Sequence, residues 1–230
     1  MSTPHLHEFE SRGDLARALA QAVSEHLAAA IKATGGAVLA VSGGSTPGLF
    51  FETLSSADID WSKVTVTLVD ERLVPDTSPR SNAALVKSKL LANNASAATF
   101  LPLYESGDLA SDAASAQRRF NALGRSIDVA ILGMGNDGHT ASFFPDANEL
   151  EALLDPAGAQ TVSGVHAMSA GEPRLTLTLP FLLKAGFIAL HIEGAEKMTT
   201  LQRALAPGAH LPIRRVMDAA RQPVEIYWAP

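Results

Sequence analysis

The 230-residue sequence contains no cysteine, which excludes disulfide bonds, thiolate zinc sites and cysteine nucleophiles. It also lacks any apolar run that approaches the roughly 20 residues of a membrane-spanning helix. Its first ten residues have neither the basic start nor the apolar stretch of a signal peptide. We therefore expect a cytoplasmic protein that does not associate with a membrane.

Positive charge is scarce as well. The formal net charge is −6, and no basic cluster is larger than the arginine pairs at 118–119 and 214–215. A nucleic-acid-binding protein normally carries a basic stripe, so no nucleic-acid partner is expected. No histidine pair has the H-E-x-x-H spacing of a zinc site, and no serine stands in a G-x-S-x-G elbow. Neither a metal, a cofactor nor a covalent serine mechanism is indicated.

Hydrophobic residues make up 47% of the chain, which is ample for a substantial core. No linker or internal repeat divides the sequence, so residues 1–230 are interpreted as a single domain. Residues 11–14 resemble a capping box and precede apolar residues at helical spacing, which predicts a helix ending at Gly35 and Gly36. His5 and His7, by contrast, are expected in a frayed terminus.

Short apolar runs alternate with helical patterns along the rest of the chain. This alternation predicts an α/β fold with a Rossmann-like, mainly parallel sheet and helices on both faces. Ligands in such sheets bind beyond the carboxyl ends of the strands, so the residues after each run are candidates for a site. The runs begin at Ala37, Val64, Asp128, Phe187 and Val224, and the clearest helical patterns span residues 82–91, 109–123 and 195–205.

The first of these strand ends is the sequence Ser-Gly-Gly-Ser-Thr-Pro at residues 42–47. Gly43 and Gly44 allow the backbone to approach a ligand, and Ser45 or Thr46 can cap a helix in which Pro47 occupies the first turn. It is not a Walker loop, because no Gly-Lys-Ser/Thr follows. A phosphate-binding loop and an ordinary strand-to-helix turn both remain compatible with the sequence.

Residues 133–139, Gly-Met-Gly-Asn-Asp-Gly-His, contain the dinucleotide fingerprint G-x-G-x-x-G. Asp137 and His139 flank its third glycine, however, and Pro145 interrupts the helix that a dinucleotide site requires. His139 instead has the character of an acid/base catalyst, because an imidazole with a pKa near ~6.5 exchanges protons at neutral pH. A structural histidine in a polar loop is the alternative at this point.

Charged residues follow the other strands. Asp70, Glu71 and Arg72 come directly after the second run, and taken alone they are interpreted as solvated loop charges. Arg174 begins a stretch of alternating leucine and threonine. Lys197 is predicted in the first turn of the helix after the Phe187 run, where a cation is unfavourable to the helix dipole unless an anion shares the site.

Taken in order, these segments resemble the 6-phosphogluconolactonase family. The resemblance implies a deaminase/isomerase-like fold and hydrolysis of 6-phospho-D-glucono-1,5-lactone to 6-phosphogluconate, the second step of the oxidative pentose phosphate pathway. One departure is Phe-Phe-Pro-Asp at residues 143–146, where Leu-Phe-Pro-Gly is expected, and it affects packing or a turn beside His139. The matching blocks are residues 42–47, 70–72 with 81–82, 133–142, 174–178 and 194–197.

A lactone is an activated ester, so a base that deprotonates water is sufficient for its hydrolysis. We expect His139 to be that base, with Asp137 or a nearby carboxylate orienting the imidazole. Arg72 either faces the developing oxyanion or helps to hold the phosphate. Asp70 matches the position that shuttles protons in the related deaminases, and its task in a lactonase is open. By resemblance, phosphate binding falls to the backbone of Gly43, Gly44, Ser45 and Thr46, with Arg174 and Lys197.

Two other functions are considered. An amino-sugar phosphate deaminase or aldose–ketose isomerase would share these segments, but the deaminases carry a carboxylate soon after the histidine, and residues 143–145 contain none. A non-enzymatic sugar-phosphate sensor would need an attached DNA-binding segment, and residues 1–36 show only one convincing helix and no basic face. The expected partner is a small phosphorylated sugar lactone, bound by a monomer or a small homo-oligomer.

Overall fold

The computed structural model describes residues 3–230, and the element boundaries below refer to that range. The helices are Arg12–Thr34 (α1), Gly48–Ser55 (α2), Asn82–Lys89 (α3), Leu109–Leu123 (α4), Leu150–Leu153 (α5), Leu179–Leu182 (α6), Ala195–Leu205 (α7) and Pro212–Ala219 (α8). The strands are His5–Glu8 (β1), Ala37–Val41 (β2), Val64–Leu68 (β3), Asp70–Arg72 (β4), Thr99–Leu101 (β5), Val129–Leu132 (β6), Val162–Val165 (β7), Arg174–Leu177 (β8), Phe187–Glu193 (β9) and Glu225–Ala229 (β10).

The main sheet has the strand order β1-β10-β9-β6-β2-β3-β5, and all its neighbours are parallel. Every side chain of the central strands β2 and β6 is buried, so both faces of the sheet are covered. Continuous apolar runs are typical of parallel strands buried in this way. The predicted α/β fold with a mainly parallel sheet is therefore confirmed.

Helix α1 begins and ends at the residues that the sequence indicates. The Ser11 side chain accepts a hydrogen bond from the Asp14 backbone N–H, which satisfies one of the unpaired donors at the helix start. At the other end, Gly35 adopts a φ of 82°, and its N–H donates to the Ile31 carbonyl. A left-handed glycine at this position closes many helices because it has no Cβ to clash. Helix α1 packs against β2, β6 and β10.

The expectation of a frayed terminus at His5 and His7 is wrong. Both residues lie in β1, which pairs in parallel with β10 at the edge of the main sheet. Their rings also meet one carboxylate, with His5 Nδ1 at 3.0 Å and His7 Nε2 at 2.6 Å from the oxygens of Glu225. Because all four side chains of β1 are exposed, the strand has no apolar pattern that the sequence could reveal.

A second sheet of three antiparallel strands, in the order β4-β8-β7, lies beside the main one. Val69 joins the two sheets, because its N–H donates to the Val41 carbonyl and its carbonyl accepts from the Leu177 N–H. Helix α4 packs on β7 and β8. This small sheet brings Asp70 and Arg174 to the edge at which β2 ends.

Across the described part of the chain, no helix is long and apolar enough to cross a membrane.

Candidate active site

A cavity of about 240 Å³ opens where the loops after β2, β6 and β9 meet residues of β4 and β8. Its position beyond the carboxyl ends of parallel strands is the usual one for ligand sites in open α/β sheets. One further predicted site residue, Asp137, lies behind the lining and is hydrogen-bonded to His139. The predicted residues that line the cavity are Gly43, Gly44, Ser45, Thr46, Asp70, Arg72, His139, Arg174 and Lys197.

His139 and Asp137 form a closely bonded pair. His139 Nδ1 lies 2.6 Å from Asp137 Oδ1, and the same oxygen accepts the His139 backbone N–H at 3.1 Å. Burial raises the pKa of the Asp137 carboxyl, but the hydrogen bond and charge of His139 outweigh burial and lower that pKa overall. An ionised carboxylate can only accept, so the Nδ1 proton faces Asp137 and Nε2 is left for proton exchange.

The backbone around this pair is tightly folded. The Gly135 N–H donates to the His139 carbonyl at 2.8 Å, so the loop returns on itself within five residues. A Cβ on Gly135 would lie 2.2 Å from His139 Nδ1 and 2.5 Å from Asp137 Oδ1. Only glycine leaves room for the imidazole here. The ring also packs on Phe144, with 4.3 Å between the ring centres.

Asp70 and Glu71 are buried, so the interpretation of these residues as solvated loop charges is wrong. Asp70 is 7% exposed, and one of its carboxylate oxygens accepts the Ser142 hydroxyl at 2.7 Å. Since Ser142 follows His139 by three residues, this bond ties the start of β4 to the loop of the histidine. Asn82, also buried, donates from its side chain to the Asp70 carbonyl.

Glu71 is fully buried beneath β4 and anchors the start of α3. Its two oxygens accept four hydrogen bonds of 2.7–3.0 Å, from the backbone N–H groups of Arg72, Asn82 and Ala83 and from the Ser81 hydroxyl. Burial raises the pKa of Glu71, and the four donors oppose that rise. The arrangement fixes Arg72 and Asn82, both of which line the cavity.

Arg72 and Arg174 form a cationic wall of the cavity. They are directly paired in the register of β4 and β8, and both approach Glu172 Oε1, at 4.0 Å from Arg72 Nε and 3.5 Å from Arg174 Nη2. Arg80 pairs with the other oxygen of Glu172. Three guanidinium groups therefore share one carboxylate, which leaves positive charge for a ligand.

Arg174 is held on several sides. Its Nη2 donates to the Ala170 carbonyl at 2.8 Å, and its guanidinium carbon lies 5.5 Å from the centre of the Phe144 ring. Burial lowers its pKa from the ordinary value, and the neighbouring Asp70 carboxylate opposes this. The Nε atoms of both Arg72 and Arg174 are buried without a hydrogen-bond partner in the described structure. Both atoms are donors that a ligand can satisfy.

The loop at residues 42–47 also lines the cavity. Gly44 adopts a φ of 93°, which favours glycine, and a Cβ on Gly43 would lie 2.0 Å from Asn82 Oδ1. The expected capping by Ser45 or Thr46 is not found. Pro47 occupies the N-cap position of α2 instead of the first turn, and no side chain bonds to the helix start. The first N–H groups of α2 thus stay available to an anion.

Lys197 lies in the first turn of α7, as the sequence predicts. Its ammonium group makes no hydrogen bond or ion pair with any residue from 3 to 230, although Lys197 lines the cavity. Burial lowers the pKa of its ammonium group, while the carboxylates of Asp137 and Glu196 oppose this. A partly buried cation that lacks a direct partner is typical of a position where an anion binds.

Sequence reasoning does not single out several residues that the structure brings to the site. Asn82 and Ser142 fall inside the family-like blocks, where their polar character was the available signal. Glu172 stands in the turn before Arg174, and its role depends on a pairing between distant strands. His191 lies inside the apolar run of β9 yet lines the cavity, and a lone histidine in such a run was the only indication. In the part of the chain described, no group of three histidine or acidic side chains could hold a metal ion.

The fold and the site together define a class of protein: an α/β enzyme with a histidine–carboxylate pair in a cation-lined cavity. The model of the family "Glucosamine-6-phosphate isomerases/6-phosphogluconolactonase" matches residues 10–228. The chain belongs to this family, as its sequence segments predict.

Individual relatives point to one branch of the family. A 6-phosphogluconolactonase from Mesorhizobium japonicum is 57% identical, with 96% of this chain and 94% of the relative covered. Another from Rhizobium meliloti is 52% identical and covers 98% and 99%. Among solved structures, a 6-phosphogluconolactonase from Shewanella baltica has a TM-score of 0.94 at 36% identity and covers 99% and 98%. These similarities confirm the prediction of an enzyme of the 6-phosphogluconolactonase type and of its deaminase/isomerase-like fold.

Proposed function

We propose that the protein hydrolyses 6-phospho-D-glucono-1,5-lactone to 6-phospho-D-gluconate, as a step of the oxidative pentose phosphate pathway. The observation that carries this proposal is the His139–Asp137 pair. Within residues 3–230, His139 Nε2 has no hydrogen-bond partner, and the cavity it lines also contains Arg72, Arg174 and Lys197. A phosphorylated lactone needs a base for water and cations for its phosphate. The relatives named as 6-phosphogluconolactonases supply the choice of sugar.

In the proposed reaction, His139 Nε2 takes a proton from a water molecule as its oxygen attacks C1 of the lactone. The C1 carbonyl becomes an oxyanion, and the imidazolium that forms is stabilised by the Asp137 carboxylate. The oxyanion then collapses, the bond between C1 and the ring oxygen breaks, and the imidazolium returns its proton to that oxygen. The histidine is restored, and the new carboxylic acid ionises in water.

The phosphate is assigned to the backbone of residues 43–46 together with Arg174 and Lys197. Arg72 stands beside Arg174 and serves either the same phosphate or the oxyanion at C1. The two roles have different kinetic signatures, because loss of a phosphate contact raises KM and loss of an oxyanion contact lowers kcat. Measurement of both constants for Arg72→Met decides between them.

Asp70 is proposed as a positioning residue instead of a proton carrier. Its bond to Ser142 holds the segment that follows His139, and its charge lies close to the Arg174 guanidinium. An asparagine at this position retains an oxygen that can accept the Ser142 hydroxyl. If Asp70 carried a proton during the reaction, Asp70→Asn would remove nearly all activity, whereas a positioning role predicts a smaller loss.

The decisive assay follows acid release in a pH-stat with freshly generated 6-phosphogluconolactone, corrected for spontaneous hydrolysis. The proposal predicts rapid, enzyme-dependent hydrolysis. The opposing result is no acceleration over buffer, together with ammonia release from glucosamine 6-phosphate, which would indicate a deaminase. The deaminases carry a carboxylate soon after the histidine, and residues 143–146 favour a lactonase instead. Phe143 and Phe144 are buried, and the carboxylate of Asp146 is engaged in two hydrogen bonds from Ser169.

A further inference from the structure

His191 is a buried histidine on the floor of the cavity. It lies in β9 and is 4% exposed, yet it is one of the residues that line the cavity. The pairing of Leu190 with Leu132 places it beside the end of β6. Its ring meets the edge of Phe50 in the first turn of α2, with 5.8 Å between centres. His191 is therefore located beneath the loop to which the phosphate is assigned.

The two ring nitrogens of His191 have different surroundings. Nε2 lies 3.2 Å from Glu193 Oε1, and the other oxygen of Glu193 lies 3.3 Å from Arg12 Nε. A carboxylate held by an arginine only accepts hydrogen bonds, so Nε2 carries a proton. Nδ1 is buried and has no hydrogen-bond partner within residues 3–230. Buried polar atoms in folded proteins are nearly always paired, so Nδ1 is suited to a ligand atom.

We propose that His191 is a further ligand-binding residue, which binds a phosphate oxygen through Nδ1 and thereby makes phosphate binding take up a proton. The inference rests on the proposed function, because it requires a phosphorylated ligand. With Nε2–H directed to Glu193, a hydrogen bond between Nδ1 and a phosphate oxygen needs one proton between them. That proton belongs to either the imidazolium or the phosphate monoanion, and the bound complex is the same in both cases.

The charged and titratable groups around His191 come from neighbouring elements and from its own strand. Glu193 on the same strand lies beside Nε2, and Arg12 of α1 pairs with that carboxylate. Tyr227 of β10 is the register neighbour of His191, and burial raises its pKa, so its hydroxyl stays neutral. Lys197 of α7 is the nearest cation along the chain that lines the cavity. From α2 the contact is Phe50, which carries no charge.

The test measures binding of glucose 6-phosphate, a phosphate ester that is not a lactone, by titration calorimetry in two buffers of different ionisation enthalpy. A phosphate monoester has a second pKa near ~6. At about pH 8 the free ester is a dianion, so binding to the unchanged protein is expected to take up close to one proton. The affinity of the unchanged protein for glucose 6-phosphate should also fall as the pH rises from about 6 to about 8.

His191→Gln is the informative variant, because glutamine can keep a bond to Glu193 while it removes Nδ1. We expect this variant to bind glucose 6-phosphate about tenfold or more weakly at about pH 6, with proton uptake close to zero. Its affinity should stay level or rise towards about pH 8, since the remaining cations favour a dianion. His191→Asn places an amide nitrogen near the position of Nδ1, and should recover affinity without proton uptake.

His139→Gln is the matched control, since it removes the other imidazole of the cavity. The inference predicts that proton uptake persists in this variant. The inference is overturned if His139→Gln binds glucose 6-phosphate without proton uptake. It is also overturned if the unchanged protein shows no proton uptake. Failure of the lactonase proposal is seen separately: the protein would then bind glucose 6-phosphate with proton uptake but would not accelerate lactone hydrolysis. If His191→Gln does not fold, as judged by its melting transition, the slope of affinity with pH in His191→Asn decides.

Discussion

Gly135→Ala is the substitution whose effect on the His139–Asp137 pair can be worked out most directly. An added Cβ would lie 2.2 Å from His139 Nδ1, 2.2 Å from His139 Cε1 and 2.5 Å from Asp137 Oδ1. Ordinary contacts of a Cβ begin near 3.4 Å, so the pair must move by on the order of 1 Å. Gly135 does not have a positive φ, and alanine therefore fits the backbone itself.

A displacement of this size at a reacting group lowers a rate by about 10²-fold. We expect kcat of Gly135→Ala to fall by that order while KM changes little, because the residues proposed to bind the phosphate lie on other segments. The assay is initial-rate hydrolysis of 6-phosphogluconolactone, accompanied by a thermal melt to show that the variant is folded. Gly133→Ala is the control from the same loop, since its Cβ would meet only Ser42 Cβ at 3.8 Å. A kcat for Gly135→Ala equal to that of the unchanged protein would refute the reasoning.

Three further predictions concern the walls of the cavity and the stability of the fold. Gly43→Ala should raise KM and lower the melting temperature, because its Cβ would lie 2.0 Å from Asn82 Oδ1; an unaltered melt contradicts this. Lys197→Met should raise KM by about tenfold with kcat retained, and an unchanged KM excludes a phosphate contact. Asp112→Asn should destabilise the fold by about 1–3 kcal/mol near neutral pH. Burial raises the Asp112 pKa, but hydrogen bonds from Ser106 and nearby backbone N–H groups lower it overall. The ionised Asp112 carboxylate therefore stabilises the fold above its unfolded pKa of ~4, and this stabilisation is lost as the pH falls through the native pKa. Melting curves of the unchanged protein should show this loss, and those of Asp112→Asn should not.

The elements that depend on local pattern could be predicted from the sequence. The capping sequence at Ser11, the helical spacing that follows and the stop at Gly35 define α1 because the interactions involved join neighbouring residues. The buried parallel strands are equally visible as continuous apolar runs. Because the carboxyl ends of parallel strands lie at one edge of the sheet, these runs also predict that most of the candidate site residues lie close together.

What the sequence could not supply depends on contacts between distant segments. The small antiparallel sheet pairs Asp70 with Thr176, and its strands are only three or four residues long. Glu71 has the sequence character of a surface charge, but it is buried because donors from residues 81–83 converge on it. The environment of His191 likewise requires Glu193, Arg12 and Phe50 to be brought together by folding.

The central claim, that His139 deprotonates water, is tested most directly by the rate of lactone hydrolysis in His139→Gln. The substitution removes the basic nitrogen and keeps a polar side chain of similar length beside Asp137. Measured in a pH-stat with correction for spontaneous hydrolysis, kcat should fall by about 10²–10⁴-fold while the melting transition remains. A folded His139→Gln protein that hydrolyses 6-phosphogluconolactone at the rate of the unchanged protein would contradict the claim.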